Sequence, residues 1–520
     1  MSEQDQKTLE FGVIRRLLEH QAATAYGVDA ARNLAPAADV AEALRFQYAV
    51  TAARRLLESG TPMDLAGTPD VRPALRQART EGSVLPGTTL YHLVLLRDRG
   101  QRIAVWERTE PVLCGEATDL EPLEALVGDL RSAVLPNGQM KPEASLRLRA
   151  LHANAEQLRM EIQTLLKTRL EAVKLPIRPD SLAWPGGRGA LVLPHTSADA
   201  VKGVRRGTAA TGRQVVVEPM EVVGPNNRLE VLTGQLEAEQ TLLRRQFTDR
   251  IREVLPLWRA LVTVLAWVDL AIAAARISIQ FNASPPTLVE EPILVLDRAY
   301  HPGLLVQFAS DTTGVPPVAL SLTIDEERRM VIITGPNTGG KTVVLKTVGL
   351  LVLMARCGLH IPAEGLCTVG LFHKLVVGIG DNQSLYHHLS TFAGHVETLK
   401  RLMTEADERT LVLIDELGTG TDPEEGAALA MAVLDELSLR RVPGLITTHL
   451  PPLKTYERAG IVRACMEFDE SRLAPTYRLL FGAAGASHGL TIAGRNGLPA
   501  ALIARARGYL KQAVTDASAP

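Results

Sequence analysis

The sequence predicts a multidomain protein, helical in its first half and α/β in its second, and three patterns carry that expectation. Apolar residues recur at helical intervals through residues 1–110, two runs of near-heptad spacing flank a stretch of short β-branched runs, and from about residue 286 strands alternate with helices. A length of 520 residues suits about three or four domains rather than one.

Taken in order, residues 1–110 read as an amino-terminal helical core domain. Ile14, Leu17 and Leu18, then Leu44, Val50, Leu56 and Leu57, fall on helical faces, with SGTPMD as a turn between helices. Residues 111–175 continue this core into a first lever helix, where Leu151, Ala155, Leu158, Ile162 and Leu165 alternate steps of four and three like a coiled-coil seam. Residues 228–285 hold a second lever helix and a return to the core, with Leu229, Leu232, Leu236, Leu243, Phe247, Ile251 and Val254 again near a heptad. Two such helices about fifty residues apart predict an antiparallel hairpin. Between them, residues 176–227 change character: LAWPGGRGALVLP and RQVVVEPMEVV are short β-branched runs bounded by Pro and Gly, which predicts a small β-rich tip. In residues 286–520, LVLD (294–297), MVIIT (330–334), TLVLIDE (410–416) and PGLITTH (443–449) alternate with helical stretches and predict a mostly parallel sheet covered by helices.

Composition narrows the function classes. With 56 Lys+Arg against 58 Asp+Glu, a net charge of -2 and 46% hydrophobic residues, neither disorder nor an overall nucleic-acid coat is indicated, so any such surface must be local. One local excess lies in the tip, where Arg188, Lys202, Arg205, Arg206 and Arg213 fit either a phosphate-backbone contact or a solvated surface. Aromatic residues at 4% are few for a binder of stacked single strands. Cysteines 114, 357, 367 and 465 form no C-x-x-C, which suits a reducing compartment, and Cys357 with His360 makes too small a set for zinc. The start MSEQDQKTLEFGVIRRLL lacks the basic cap and apolar core of a signal peptide. The apolar span LVTVLAWVDLAIAAA from Leu261, interrupted by Asp269 and followed by Arg276, reads as a buried helix too short and too charged to cross a membrane. A cytoplasmic protein without membrane contact is expected.

The chemistry concentrates around GPNTGGKT, which comprises Gly335, Pro336, Asn337, Thr338, Gly339, Gly340, Lys341 and Thr342. It sits between a β-branched strand and an apolar helix, where backbone N–H groups wrap a phosphate if no side chain intrudes and the helix N-terminus adds positive partial charge. Lys341 is placed to reach the outer phosphates and the Thr342 hydroxyl to take one position on Mg²⁺. The strand LVLIDE ends on Asp415, suited to hold Mg²⁺ through its water shell, and Glu416, suited to orient or deprotonate an attacking water. His449, after LITT, is placed to donate to the γ-phosphate or that water. Ser390 and Thr391 stand before a helix expected to begin near Phe392, a second anion-recognition element that suits a nucleotide sandwiched between two subunits. His387 and His388 are adjacent, diverge on a helix and read as a solvated turn.

Together GPNTGGKT with LKTVGLL, LSTFAGH, LVLIDELGTGTDPEEGAALA and TTHLPPLK resemble the ATPase domain of the MutS family, and DELGTGTDPEEG resembles its bacterial type-two branch. LEFGVIRRLLEHQAATAYG and VVVEPMEVVGPNNRLEVL are similar to the same branch, so the resemblance runs from about residue 9 to the end. It implies a multidomain α/β plus α fold: a helical core and long lever helices with a small β-rich clamp at residues 176–227, then an ABC-type P-loop ATPase domain that dimerises with composite sites. It implies ATP and Mg²⁺ as cofactors, with Lys341 on phosphate, Thr342 and Asp415 on the metal, Glu416 activating water, Ser390 and Thr391 acting across the dimer and His449 sensing the γ-phosphate.

The resemblance further implies a homodimer that clamps branched or recombining DNA and suppresses recombination; the alternative is an ATP-driven sensor of collided ribosomes that splits them. A scaffold without useful turnover is a third possibility, against which the intact lysine, hydroxyl and carboxylate pair speak. An aromatic-x-Glu reading motif is missing at the amino terminus, so mismatch recognition is not expected. ASHGLTIAGRNGLPAALIARARGYL resembles the family's dimerisation helices, and no L-D-L-H-G motif of an Smr nuclease domain follows, so endonuclease activity is not expected of these residues. PGGRGALVLPHTSADAVKGVRRGTAATG is looser than the family's clamp pattern.

Overall fold

The computed structural model describes residues 2–114, 121–174, 181–208, 214–311, 314–335, 339–380, 390–469, 474–482, 490, 493 and 497–516. These form two compact units, each assembled from separate runs of chain. The larger comprises Met1–Ala66, Ile103–Ala117 and Val264–Pro520, and the smaller Gly67–Arg102 and Thr118–Thr263. The first helical segment is therefore shared, residues 1–66 going to one unit and 67–102 to the other.

In the smaller unit, helices Leu146–Ala172 and Met220–Glu253 run antiparallel, as three cross-pairs with opposing numbering show: Ser145 with Glu239, Glu161 with Arg228, and Arg169 with Glu221. Leu151, Ala155, Leu158 and Ile162 are buried as the heptad predicts, but the stripe continues through Leu166 and Leu170, leaving Leu165 half-buried. Steps of four at 3.6 residues per turn swing the buried face past the strict heptad position. On the opposing helix Leu229, Leu243, Phe247 and Ile251 are buried, Leu232 and Leu236 half-buried, and Val254 lies just beyond its end. The tip is a four-stranded antiparallel sheet in the order Leu182–Ala183, Ala190–Pro194, Gln214–Pro219, Gly203–Thr208. Its alternate residues Leu191, Leu193, Val215 and Val217 pack on Ile162, Leu166 and Leu170 of the stalk. Only glycine fits at 189, where a Cβ would come within 2.4 Å of the Ile162 side chain. MEVV, expected to be strand, opens the second helix instead: the strand ends at Pro219, and the helix runs on through Pro225, whose missing N–H leaves the Glu221 carbonyl without its intrahelical donor.

The larger unit is built on a six-stranded sheet ordered Lys374–Gly378, Thr410–Ile414, Gly444–Thr447, Met330–Thr334, Ile461–Asp469, Ala474–Phe481. The first five strands are mutually parallel and the last is antiparallel. Every residue of Met330–Thr334, Thr410–Ile414 and Gly444–Thr447 is buried, the mark of strands covered on both faces. Val412 and Ile414 point into a core with Leu402, Val433, Leu434 and Leu437 from helices Ser390–Glu405 and Pro423–Leu439. On the opposite face Leu413 meets Gly349 of helix Lys341–Arg356, where a Cβ would lie 2.8 Å from Leu413.

LVLD belongs elsewhere. Leu294–Ala299 pairs antiparallel with Leu320–Ile324 and Thr368–Gly370 in a separate four-stranded sheet that Thr287–Val289 completes. Its alternating burial explains the correction, since a strand with one covered face cannot sit inside the doubly covered sheet. The apolar span from Leu261 also differs from expectation. It is part of a 26-residue helix, Leu255–Gln280, long and apolar enough by length and composition to cross a membrane. Leu265, Val268, Ala271 and Ile272 are nevertheless buried in the fold, and Asp269, at 0% exposure, accepts from Ala23 N, Thr24 N and Thr24 Oγ1 at 3.0, 2.8 and 2.7 Å.

Candidate nucleotide-binding site

Parallel register decides what meets at the carboxyl edge of the large sheet. Ile332 stands beside Ile446, and Ile446 beside Ile414, so Gly335, Asp415 and His449 emerge at one edge. The turn into the next helix uses left-handed glycines, Gly335 at φ 131 and Gly340 at φ 89, the latter capping helix Lys341–Arg356. Lys341 is 2% exposed and its Nζ donates to Gly335 O at 2.7 Å, which holds the ammonium at the end of the strand that precedes the loop. Burial lowers its pKa, while the charges of Glu416 and Asp415 act in the opposite sense.

The carboxylates are placed with different freedom. Asp415 Oδ2 accepts from Thr342 Oγ1 at 2.6 Å, and Oδ1 accepts from Thr447 Oγ1. The same Thr447 hydroxyl accepts the Glu416 N–H at 2.8 Å, and Thr419 Oγ1 donates to Glu416 O at 2.9 Å. The Glu416 peptide is thus pinned on both sides in a left-handed conformation, φ 53, that costs a non-glycine residue about 1 kcal/mol or more. Its half-buried carboxylate has no hydrogen bond among the described residues, so the backbone is constrained while the acid is left available.

The Thr342 hydroxyl and the Asp415 carboxylate are hard oxygen donors in direct contact, which fits Mg²⁺ held by two protein groups with water and phosphate completing its octahedron. No cluster of three or more His, Cys, Asp or Glu occurs among the described residues, so a cage built wholly from such side chains is not what this edge offers. His449 stands exposed just past Thr448, whose N–H donates to Ile333 O at 3.1 Å. Helix Ser390–Glu405 begins at Ser390, two residues earlier than expected, which puts Ser390 and Thr391 in its first turn rather than ahead of it. Their side chains lie outside the described structure, as do residues Pro336, Asn337 and Thr338 of the loop and the pair His387 and His388.

Two features of the site were missed from sequence. Thr447 is one, although it lies in the TTH run. The other is an apolar cavity of about 320 Å³ beside the loop, lined by Phe308, Pro316, Val318, Gly340, Val343 and Tyr477. A Cβ on Gly340 would come 3.1 Å from the Tyr477 ring, so loop glycine and aromatic ring are in close approach. Such a lining suits a planar heterocycle. Its walls come from residues more than a hundred positions apart, which no local motif signals.

The tip cations belong to the other unit and are mostly partnered. Arg188 donates to Glu218, Glu230 and Asn227 at 2.7, 2.6 and 2.7 Å, and Arg206 donates to Glu218 at 2.6 Å. Glu218 is 0% exposed; burial alone would raise its pKa, but bonds from Arg188, Asn226 and Arg206 bring it below the usual carboxylate value. Arg205 pairs with Asp199, Lys202 is exposed, and Arg213 lies outside the described residues.

Strand, glycine turn, buried lysine and hydroxyl-linked carboxylate on a parallel sheet define the class, a P-loop domain. Comparison with known proteins then narrows it: residues 331–514 match the family model described as MutS domain V. The chain is 36% identical over 98% of its length to the protein named Endonuclease MutS2 of Symbiobacterium thermophilum, 35% over 97% to that of Thermomicrobium roseum, and 31% over 96% to that of Halothermothrix orenii. These findings support the MutS2 branch of the MutS family. The chain spans 64%, 65% and 64% of the length of those relatives.

Proposed function

We propose that this chain forms a homodimeric, ATP-hydrolysing clamp of the MutS type that binds branched or recombining DNA and restrains recombination. The observation that carries the proposal is the contrast at the strand ends, where Asp415 is fixed by Thr342 and Thr447 while the Glu416 carboxylate accepts no hydrogen bond among the described residues, on a pinned backbone. In this reading Lys341 holds the outer phosphates, and the apolar cavity beside Gly340 and Tyr477 takes the base. Thr342 and Asp415 would hold Mg²⁺, which when bound neutralises charge developing on the phosphates. Glu416 orients water and accepts its proton, His449 donates toward the γ-phosphate, and Ser390 with Thr391 complete the partner's site. The names of the relatives and the MutS domain V match support DNA as the ligand class. An unengaged Glu416 beside a buried Lys341 also favours turnover over a passive scaffold.

Binding and turnover measured on two variants test the site. Lys341→Ala is expected to weaken affinity for a fluorescent ATP analogue about tenfold or more. Glu416→Gln is expected to hold affinity within about threefold and cut turnover about a hundredfold. Near wild-type turnover by Glu416→Gln, or unchanged affinity in Lys341→Ala, would contradict the assignments.

A further inference from the structure

Residues 2–10 touch both helices that the proposed reaction needs. Leu9, at 0% exposure, lies against Gly349 of the phosphate-loop helix, where a Cβ would come within 2.5 Å of the leucine side chain. Glu10, at φ 59, accepts from Lys346 Nζ of the same helix at 2.7 Å. A few residues upstream, Asp5 at 2% exposure receives both arms of Arg401: Nη1 to Oδ1 at 2.9 Å and Nη2 to Oδ2 at 2.7 Å. Ser2 braces the carboxylate, donating its hydroxyl to Oδ2 at 2.6 Å and accepting the Asp5 N–H at 3.1 Å. Arg401 also donates to Leu375 O of the edge strand at 3.1 Å. It lies on helix Ser390–Glu405, about three turns from Ser390.

That helix is held unevenly. Its far half is sunk in the core through Leu402, with Met403 packed against the same cluster. Its near half, at Gly394, His395 and Thr398, borders a cavity of about 380 Å³ that is also walled by Gln4, Thr8 and the loop residues Gly418 and Thr419 just after Glu416. At the boundary between the packed half and the open half, next to Leu402, the two-pronged charged contact of Arg401 fixes the helix laterally, and its planar geometry sets direction as well as distance.

We propose that residues 2–10 act as a strap that sets helix Ser390–Glu405 against the phosphate-loop helix, with Asp5 and Arg401 as positioning residues for ATP-dependent self-association. The inference rests on the proposed function, in which one helix begins at the subunit's own phosphate site and the other begins at the residues offered to its partner's. Removing the tie leaves the phosphate loop intact but lets the partner-facing end drift across the cavity.

The test is turnover of the full chain as a function of protein concentration, alongside monomer affinity for a fluorescent ATP analogue and thermal melting. Asp5→Asn is expected to keep affinity within about threefold while raising the protein concentration for half-maximal turnover about tenfold. Arg401→Gln should give the same shift, and the double variant should fall no further, the non-additivity of one shared contact. Arg401→Lys, which keeps charge but loses the fork, should give a smaller shift and supplies the comparison if Asp5→Asn does not fold. An unchanged half-maximal concentration in Asp5→Asn, additive single effects, or affinity and turnover falling in parallel would overturn the strap. A wild-type chain that binds no ATP or shows no turnover would overturn the proposed function itself, and the strap with it.

Discussion

Thr447 holds the two carboxylates of the site in relation to each other, because one hydroxyl donates to Asp415 and accepts from the Glu416 backbone. Thr447→Val keeps the β-branched shape in the buried strand and deletes both bonds. A lost hydrogen bond to a charged group costs about 1.5–3 kcal/mol, so turnover is expected to fall about tenfold to a hundredfold and half-saturating Mg²⁺ to rise. A Mg²⁺ titration of turnover indistinguishable from wild type would contradict that role. Lys341, Thr342 and Asp415 were legible in the sequence because a phosphate loop dictates local spacing: glycine where the backbone turns left, lysine and hydroxyl at the helix start, and an acid at a neighbouring strand end. Thr447 and Tyr477 act through space, and nothing adjacent to them in sequence states their partner. The tip arginines show the same limit. Composition reads their charge, yet Arg188 and Arg206 are turned onto Glu218, thirty and twelve residues away.

Helices and strands were legible where burial is simple and less so where it is mixed. The fully buried strands of the large sheet and the antiparallel stalk emerged from apolar runs and near-heptads. Leu294–Ala299, with one covered face, was assigned to the wrong sheet, and the stalk stripe drifted from Leu165 to Leu166 once packing followed 3.6 residues per turn. Contacts between elements were the least visible. His360, set aside as a metal ligand, instead joins two helices: its ring nitrogens pair with Thr51 Oγ1 of Val40–Glu58 at 2.9 Å and Ser278 Oγ of Leu255–Gln280 at 2.8 Å. Burial, aided by the Arg54 charge, brings its pKa down from 6.5 to about 4. Between those values the unfolded chain takes up a proton that the native chain refuses, so stability falls as pH drops from about 6.5 to about 4, by roughly 3 kcal/mol at most, and this contribution levels off below. His360→Asn should flatten that part of the pH profile of denaturant unfolding. An unchanged slope would show that His360 does not titrate in this way.

At the scale of the whole molecule, the phosphate loop and the β-rich tip fall in different compact units, so coupling between a nucleotide at the loop and a ligand held at the tip would pass from one unit to the other. The sequence could not show that residues 1–66 cluster with the carboxyl-terminal half, because helical periodicity marks which face is buried but not what buries it. The expected behaviour is ATP turnover that answers to DNA. It is tested most directly by the steady-state ATPase rate of the chain alone and with four-way-junction DNA, linear duplex or ribosomes, each across a range of salt. A measurable basal rate stimulated most by junction DNA is expected, with stimulation declining steeply as salt rises. Stimulation by ribosomes alone, with no response to either DNA at any salt, would contradict it.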